Sequence, residues 1–255
     1  QSRMDLNSIT SILEAASLWQ LGFGAIAVAL AGLVRGFSGF GAAMISIPLL
    51  SLLFGPQTAL ACLTTMEMPA QIQLLRMSRR EADLKQAAPM ALGGIIALPL
   101  GTWILVSIDQ DLLRRLISGI VLLLVVLLAS GYRHTIPRRL GIDVAVGTVA
   151  GFLNGSTGLG GPPIIFYLLS GPYAPAAVRA NITAFFQIGF VFVVASYFWF
   201  GVLTPERMLL GAALAPFYVG GIWLGGKLFY KASEQTFRRI AYLLLAVIGG
   251  GTLFS

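Results

Sequence analysis

Arg35-Gly36-Phe37-Ser38-Gly39-Phe40-Gly41 and Asn154-Gly155-Ser156-Thr157-Gly158-Leu159-Gly160-Gly161 are two copies of one pattern. At an offset of 119 residues, Gly32, Gly36, Gly39 and Gly41 fall on Gly151, Gly155, Gly158 and Gly160; Pro56 falls on Pro175 and Thr64 on Thr183. Each copy has a short apolar stretch on both sides. Glycine admits backbone turns closed to other residues and the close approach of another group. Two Gly-rich breaks at matching places in a very apolar chain are the sequence pointer to a transporter binding site.

The composition agrees. Of 255 residues, 57% are apolar and 11% charged, against about 25% charged in a soluble domain. Apolar runs of bilayer-spanning length, about 17–25 residues, occur at 18–34, 58–75, 87–107, 112–131, 178–200, 207–226 and 239–254. The chain therefore reads as an all-α polytopic membrane protein; the alternating ten-residue pattern of an outer-membrane barrel is absent. The net charge of +7 does not indicate nucleic acid, because the basic residues cluster in short loops between apolar runs. Cys62 is the single cysteine, which rules out an intrachain disulfide. Gln1-Ser2-Arg3 ahead of Met4 reads as an expression scar, so residues 1–17 are a scar and an amphipathic lead-in. The 18–34 run resembles a signal peptide but leads straight into the first motif, and it is kept in the mature protein.

Helices are expected at about 18–34, 42–54, 57–75, 87–107 (kinked at Pro99) and 112–131, then at 142–153, 162–170, 176–200, 205–228 and 235–254. Gly55-Pro56 ends the second segment as Gly171-Pro172 and Pro175 end the seventh. A late echo places Gly101 and Arg114-Arg115 before Gly225 and Arg238-Arg239 at one offset. Residues 18–132 and 142–255 are thus two repeats of five helical segments, joined by a basic linker at 133–141.

Charge orients them. If the two short helices at each motif form a hairpin that returns to its starting side, each half adds three spanning helices and the repeats are inverted. Loops 76–85, 133–139 and 227–239 then share a side with eleven Lys/Arg, against four on the other. If each motif pair crossed once, the repeats would be parallel and the inter-helix loops would split eight to six. The positive-inside rule favours inversion, with the linker cytoplasmic, the chain in the inner membrane and both termini outside.

The helices beginning near Ala42 and Pro162 aim their N-termini at the breaks. Free N–H groups and a partial positive charge there suit an anion. Candidate substrate contacts are Arg35, Gly36, Ser38, Gly39, Gly41 and Thr64 in the first half. In the second they are Asn154, Gly155, Ser156, Thr157, Gly158, Gly160, Gly161, Thr183 and Gln187. Gly32-xxx-Gly36 and Gly151-xxx-Gly155 equally fit close helix packing. Arg35 follows directly on the apolar run 18–34, and an intramembrane charge marks function by default; its forked donors match an oxyanion. Glu67 is the acidic residue deep in a helix. It serves either as a proton carrier or as the charge partner of Arg35. Arg179 reads equally as an end charge or a ligand contact.

No metal cluster, nucleotide motif or cofactor fingerprint occurs. Transport would run on a proton, sodium or substrate gradient. Gly36-Phe37-Ser38-Gly39 also matches the nucleophile setting of intramembrane serine hydrolases, but the single His134 lies in the basic linker, out of reach. An anion channel is the other alternative.

The motifs resemble the TauE/SafE family of membrane transporters. Gly32, Gly36, Gly39, Gly41 and Pro48-Leu49-Leu50 carry the likeness, followed by Gly151, Gly155, Gly158, Gly160, Gly161 and Pro162-Pro163. Where the family pattern continues with glycine, this chain has Ala42-Ala43. The resemblance implies transport of small sulfur-containing or organic anions such as sulfite and sulfonates.

Overall fold

The glycine motifs connect the arms of two helical hairpins. The computed structural model describes residues 17–38, 41–78, 84–129, 139–170 and 175–229. Every regular element among them is an α-helix. The first hairpin is α1 (Leu18–Ser38) and α2 (Ala42–Phe54). Next come α3 (Pro56–Ser78), α4 (Leu84–Ser107) and α5 (Gln110–Ala129). The second hairpin is α6 (Leu140–Thr157) and α7 (Gly161–Ser170), followed by α8 (Pro175–Trp199) and α9 (Pro205–Phe229). The expected lead-in and the expected final helix at 235–254 lie outside the described residues.

Both hairpins are closed at their open ends. Near the start of α1, Gln20 Nε2 donates to the Leu53 carbonyl at the end of α2, at 3.3 Å. Near the end of α7, Tyr167 OH donates to Asp143 Oδ1 near the start of α6, at 2.5 Å. Each return arm thus comes back to the level where its first arm began. The return arms have 13 and 10 residues. At about 1.5 Å per residue they are shorter than the roughly 30 Å hydrocarbon core.

The first arms run farther than the sequence suggests. α1 continues through Arg35 to Ser38 instead of stopping at 34, and α6 continues through Asn154 to Thr157 instead of 153. Glycine inside a helix is tolerated here because it seats the helix on a neighbour's backbone. A Cβ on Gly32 or Gly36 would fall on the Tyr218 or Ile222 carbonyl of α9; Gly221 and Gly225 meet the Ala29 and Leu33 carbonyls of α1 in return. α6 and α4 repeat the arrangement, with Gly147, Gly151 and Gly155 on the carbonyls of Met90, Gly94 and Leu98, and Gly101 on that of Phe152. In lipid, where no hydrophobic force draws helices together, backbone contact of this kind is a main source of association. α4 also starts earlier than expected, so Pro89 stands inside it rather than in its first turn.

Residue numbers rise together along both glycine seams, so α1 runs parallel to α9, and α4 to α6. α3 is parallel to α9 as well: Arg207 Nη2 donates to Gln57 Oε1 at 3.1 Å, and Tyr218 OH donates to Glu67 Oε1 farther along both helices. α8 is parallel to α4, with Phe185 against Gly94 and Ser196 Oγ donating to Thr102 Oγ1 at 2.9 Å. Six peptide steps, from Ser78 to Leu84, join α3 to α4 and reach about 21 Å at most. At the far ends, α6 links Leu60, near the start of α3, through Gly158 to Leu98 and Gly101, late in α4, through Gly155 and Ser156, so α4 runs back the other way.

The largest buried cluster gathers α2 and α3 with α8 and α9, around Ile45, Leu60, Met66, Tyr197 and Tyr218. Large apolar side chains also cover the outside. Trp19, Phe23 and Ile26 of α1, Leu92, Ile96 and Trp103 of α4, and Phe217 and Trp223 of α9 are all exposed, Ile96 by 70%. Such continuous apolar stripes belong against lipid rather than water. Among the described residues, Leu18–Gly36, Ala87–Ser107 and Pro205–Lys227 are long and apolar enough to cross a membrane, and Ala42–Phe54 and Ala184–Trp199 are shorter apolar stretches.

Candidate binding site

Between the hairpins lies a cavity of about 130 Å³, several times the roughly 10–15 Å³ that one water needs. One side is polar: Arg35 from α1, and Thr64, Glu67 and Gln71 from α3. The N-terminus of α2 enters it through Gly41, Ala42, Ala43 and Met44. From the second hairpin come Asn154 and Gly158, with Gly161 and Pro162 at the start of α7. The opposite side is apolar, lined by Leu60, Leu63, Leu159 and Ile165 and by Phe186, Phe190 and Val193 of α8.

The polar side is built around Glu67. Arg35 Nη2 donates to Glu67 Oε2 at 2.7 Å in an ion pair. Tyr218 OH donates to Oε1, and Gln71 Nε2 approaches Oε2 at 3.5 Å. The arginine and the carboxylate are largely buried, with 17% and 11% of their side chains exposed. A desolvated pair of this kind holds only if both partners stay, because removing one leaves an uncompensated buried charge. The sequence left Glu67 between proton carrier and charge partner; the geometry makes it the partner of Arg35, on the cavity wall.

The turns are glycine's work. Gly41 opens α2 at φ +91° and Gly158 closes α6 at φ +71°, both left-handed. Gly158 N–H donates to the Asn154 carbonyl at 3.0 Å, closing the last turn of α6. Tyr197 OH donates to the same carbonyl at 3.0 Å and to that of Gly155 at 3.3 Å.

The first turns of the two return arms differ. The first N–H groups of a helix lack partners within it, and α2 presents Ala42 and Ala43 there. α7 instead begins Gly161-Pro162-Pro163. Proline has no N–H, so α7 brings fewer donors. Arg35 and the N-terminus of α2 thus both reach the cavity from the first half.

The structure gathers Arg35, Gly41, Thr64, Glu67, Asn154, Gly158 and Gly161 on the cavity wall. Gly36 and Gly155 sit on the packing seams with α9 and α4, and a Cβ on Gly160 would meet Ala150 O and Asn154. Ser156 and Thr157 turn their hydroxyls onto their own helix, to the Phe152 and Leu153 carbonyls, each at 2.8 Å. Thr64 does the same to Leu60 O at 2.8 Å. Gln187 stands on α8 and is not among the residues that line the cavity. Gly39 and His134, and the side chains of Ser38, Arg179 and Thr183, lie outside the described residues. Gln71, Phe186, Phe190, Tyr197 and Tyr218 belong to this region although the sequence did not single them out. Phe186 and Phe190 stand four residues apart, on one face of α8, and that spacing was the one available signal.

The family model for the sulfite exporter TauE/SafE matches residues 24–252. The chain belongs to this family, whose members are membrane transporters and not enzymes. Among curated relatives it is similar to the "Probable sulfite/organosulfonate exporter TauE" of Cupriavidus necator, at 26% identity over 175 residues, 67% of this chain and 68% of the relative. No solved structure matches the chain.

Proposed function

We propose that the chain is a secondary transporter carrying a small sulfur-containing or organic anion across the cytoplasmic membrane by alternating access. The observation that carries this is the cavity where Arg35, the N-terminus of α2 and the second hairpin converge. A guanidinium and free helix N–H groups in a low-dielectric setting favour an oxyanion. The apolar opposite wall accommodates the carbon body of an organic anion. The family and the relative's name support sulfite and sulfonates as the substrate class. Two helix-break hairpins around one site support a carrier over a channel. Proteoliposomes preloaded with unlabelled ethanesulfonate should take up labelled ethanesulfonate transiently above its equilibrium level. Flux that never exceeds equilibrium, at any loading, would mean a channel.

Inverted repeats frame the site in this proposal. Their support is that helix pairs recur with the halves exchanged: α1 with α9 answers α6 with α4, and α3 with α9 answers α8 with α4. The members of each pair are parallel, while α4 runs opposite to α3. Inverted halves place the ends of α4 and α8 on one face of the membrane; parallel halves place them on opposite faces. Ser107 and Trp199 are exposed at those ends, and the native Cys62 is buried. Ser107→Cys and Trp199→Cys should therefore react with an impermeant thiol reagent from the same side, the one away from the basic loops. Labelling from opposite sides would refute inversion.

A further inference from the structure

The Arg35–Glu67 pair raises a question of charge balance. Arg35 is the cation among the described residues that line the cavity, and its guanidinium already donates to Glu67. An incoming anion finds that donor engaged by a carboxylate. Binding without displacement would leave two negative charges sharing one buried positive charge, which a low-dielectric site disfavours. Displacement without compensation would leave the Glu67 carboxylate buried and separated from its cation.

Resting on the anion-site reading above, we propose that substrate and Glu67 exchange places at Arg35, so that each anion bound brings one proton onto Glu67. The step balances: the Arg35–carboxylate contact opens, the anion forms the new contact with the guanidinium, and a proton from water neutralises Glu67. The net charge of the site is unchanged. A protonated Glu67 keeps its neighbours, since Tyr218 OH and Gln71 Nε2 still find oxygen acceptors on it. The groups facing Glu67 are Arg35 from α1, Tyr218 from α9, and Thr64 and Gln71 on its own helix. From the second half come Asn154 on α6 and, on α8, Tyr197, whose hydroxyl donates to backbone carbonyls. No other charged side chain among the described residues lines the cavity. Anion and proton thus help each other bind, and by linkage the help is reciprocal. Proton–anion cotransport follows, with the pair as the coupling device and Tyr218 as the residue that positions the carboxylate.

Ethanesulfonate is the probe, because a sulfonate stays ionised and carries no proton of its own. Purified wild type mixed with it in weak buffer at neutral to alkaline pH should take up about one proton per anion bound. Its Kd should rise about tenfold per pH unit on the alkaline side, the slope of one linked proton. Glu67→Gln, which keeps the side-chain shape and cannot titrate, should bind with no proton uptake and no such slope. Proton uptake of zero by the wild type at every pH tested overturns the proposal, and that measurement needs no variant to fold. A Glu67→Gln protein that retains the wild-type slope overturns it as well. Should Arg35→Gln bind the sulfonate as the wild type does, it is the anion site itself that is wrong, whatever the protons do.

Discussion

Valine at position 158 is expected to abolish anion binding, and valine at an open glycine such as Gly189 is not. Gly158 has φ +71° and stands on the cavity wall. A Cβ there would meet Ile47 Cδ1 and Leu60 Cδ2, the mobile ends of two side chains. Space alone could be found by turning those ends aside. The backbone cannot be accommodated so easily, because a left-handed conformation costs an L-residue about 1–2 kcal/mol and a β-branched one more. Moving φ out of that region redirects the chain that follows Gly158, and the start of α7 swings with it. Affinity for ethanesulfonate should fall more than a hundredfold in purified, monodisperse Gly158→Val. The control at Gly189, where nothing lies within 4 Å of a built Cβ, should bind as the wild type. Unchanged binding by Gly158→Val would mean the break is not part of the site.

Loss of Arg35 should be the next largest effect. A charge-assisted hydrogen bond is worth roughly 1.5–3 kcal/mol, about ten- to a hundredfold in affinity. Arg35→Gln keeps a hydrogen-bond donor towards Glu67 and removes the positive charge. Glu67 keeps the hydrogen bond from Tyr218 OH, and this limits the folding penalty of breaking a buried pair. The expected signature is a weakened Kd on a protein that still elutes as a single species. The α2 N-terminus and Asn154 remain, so some binding survives.

Much of this site was legible before any coordinates. The doubled glycine pattern marked both hairpins, because glycine takes at least cost the left-handed turn found at Gly41 and Gly158. Arg35 and Glu67 stood out as charges in apolar runs and form a pair. The extent of the helices was not legible. Arg35–Ser38 and Asn154–Thr157 looked like loop since glycine disfavours helix interiors. Contact of Gly36 with Ile222 and of Gly155 with Leu98 outweighs that preference, and both partners are distant in sequence. Ser156 and Thr157 looked like ligand donors; bonding back to the carbonyl four residues earlier turns such hydroxyls away, as it commonly does in helices. Tyr197 and Tyr218 were hidden in aromatic stretches. Their hydroxyls matter through Asn154 O and Glu67, and no local pattern announces an acceptor on another helix.

The most direct measurement is a binding titration of ethanesulfonate on wild type and Arg35→Gln, both purified and monodisperse, at one pH and one ionic strength. A site formed by Arg35 and the two hairpins requires the variant's Kd to rise about ten- to a hundredfold. Equal dissociation constants for the two proteins would place the anion elsewhere and leave the glycine motifs as helix packing alone.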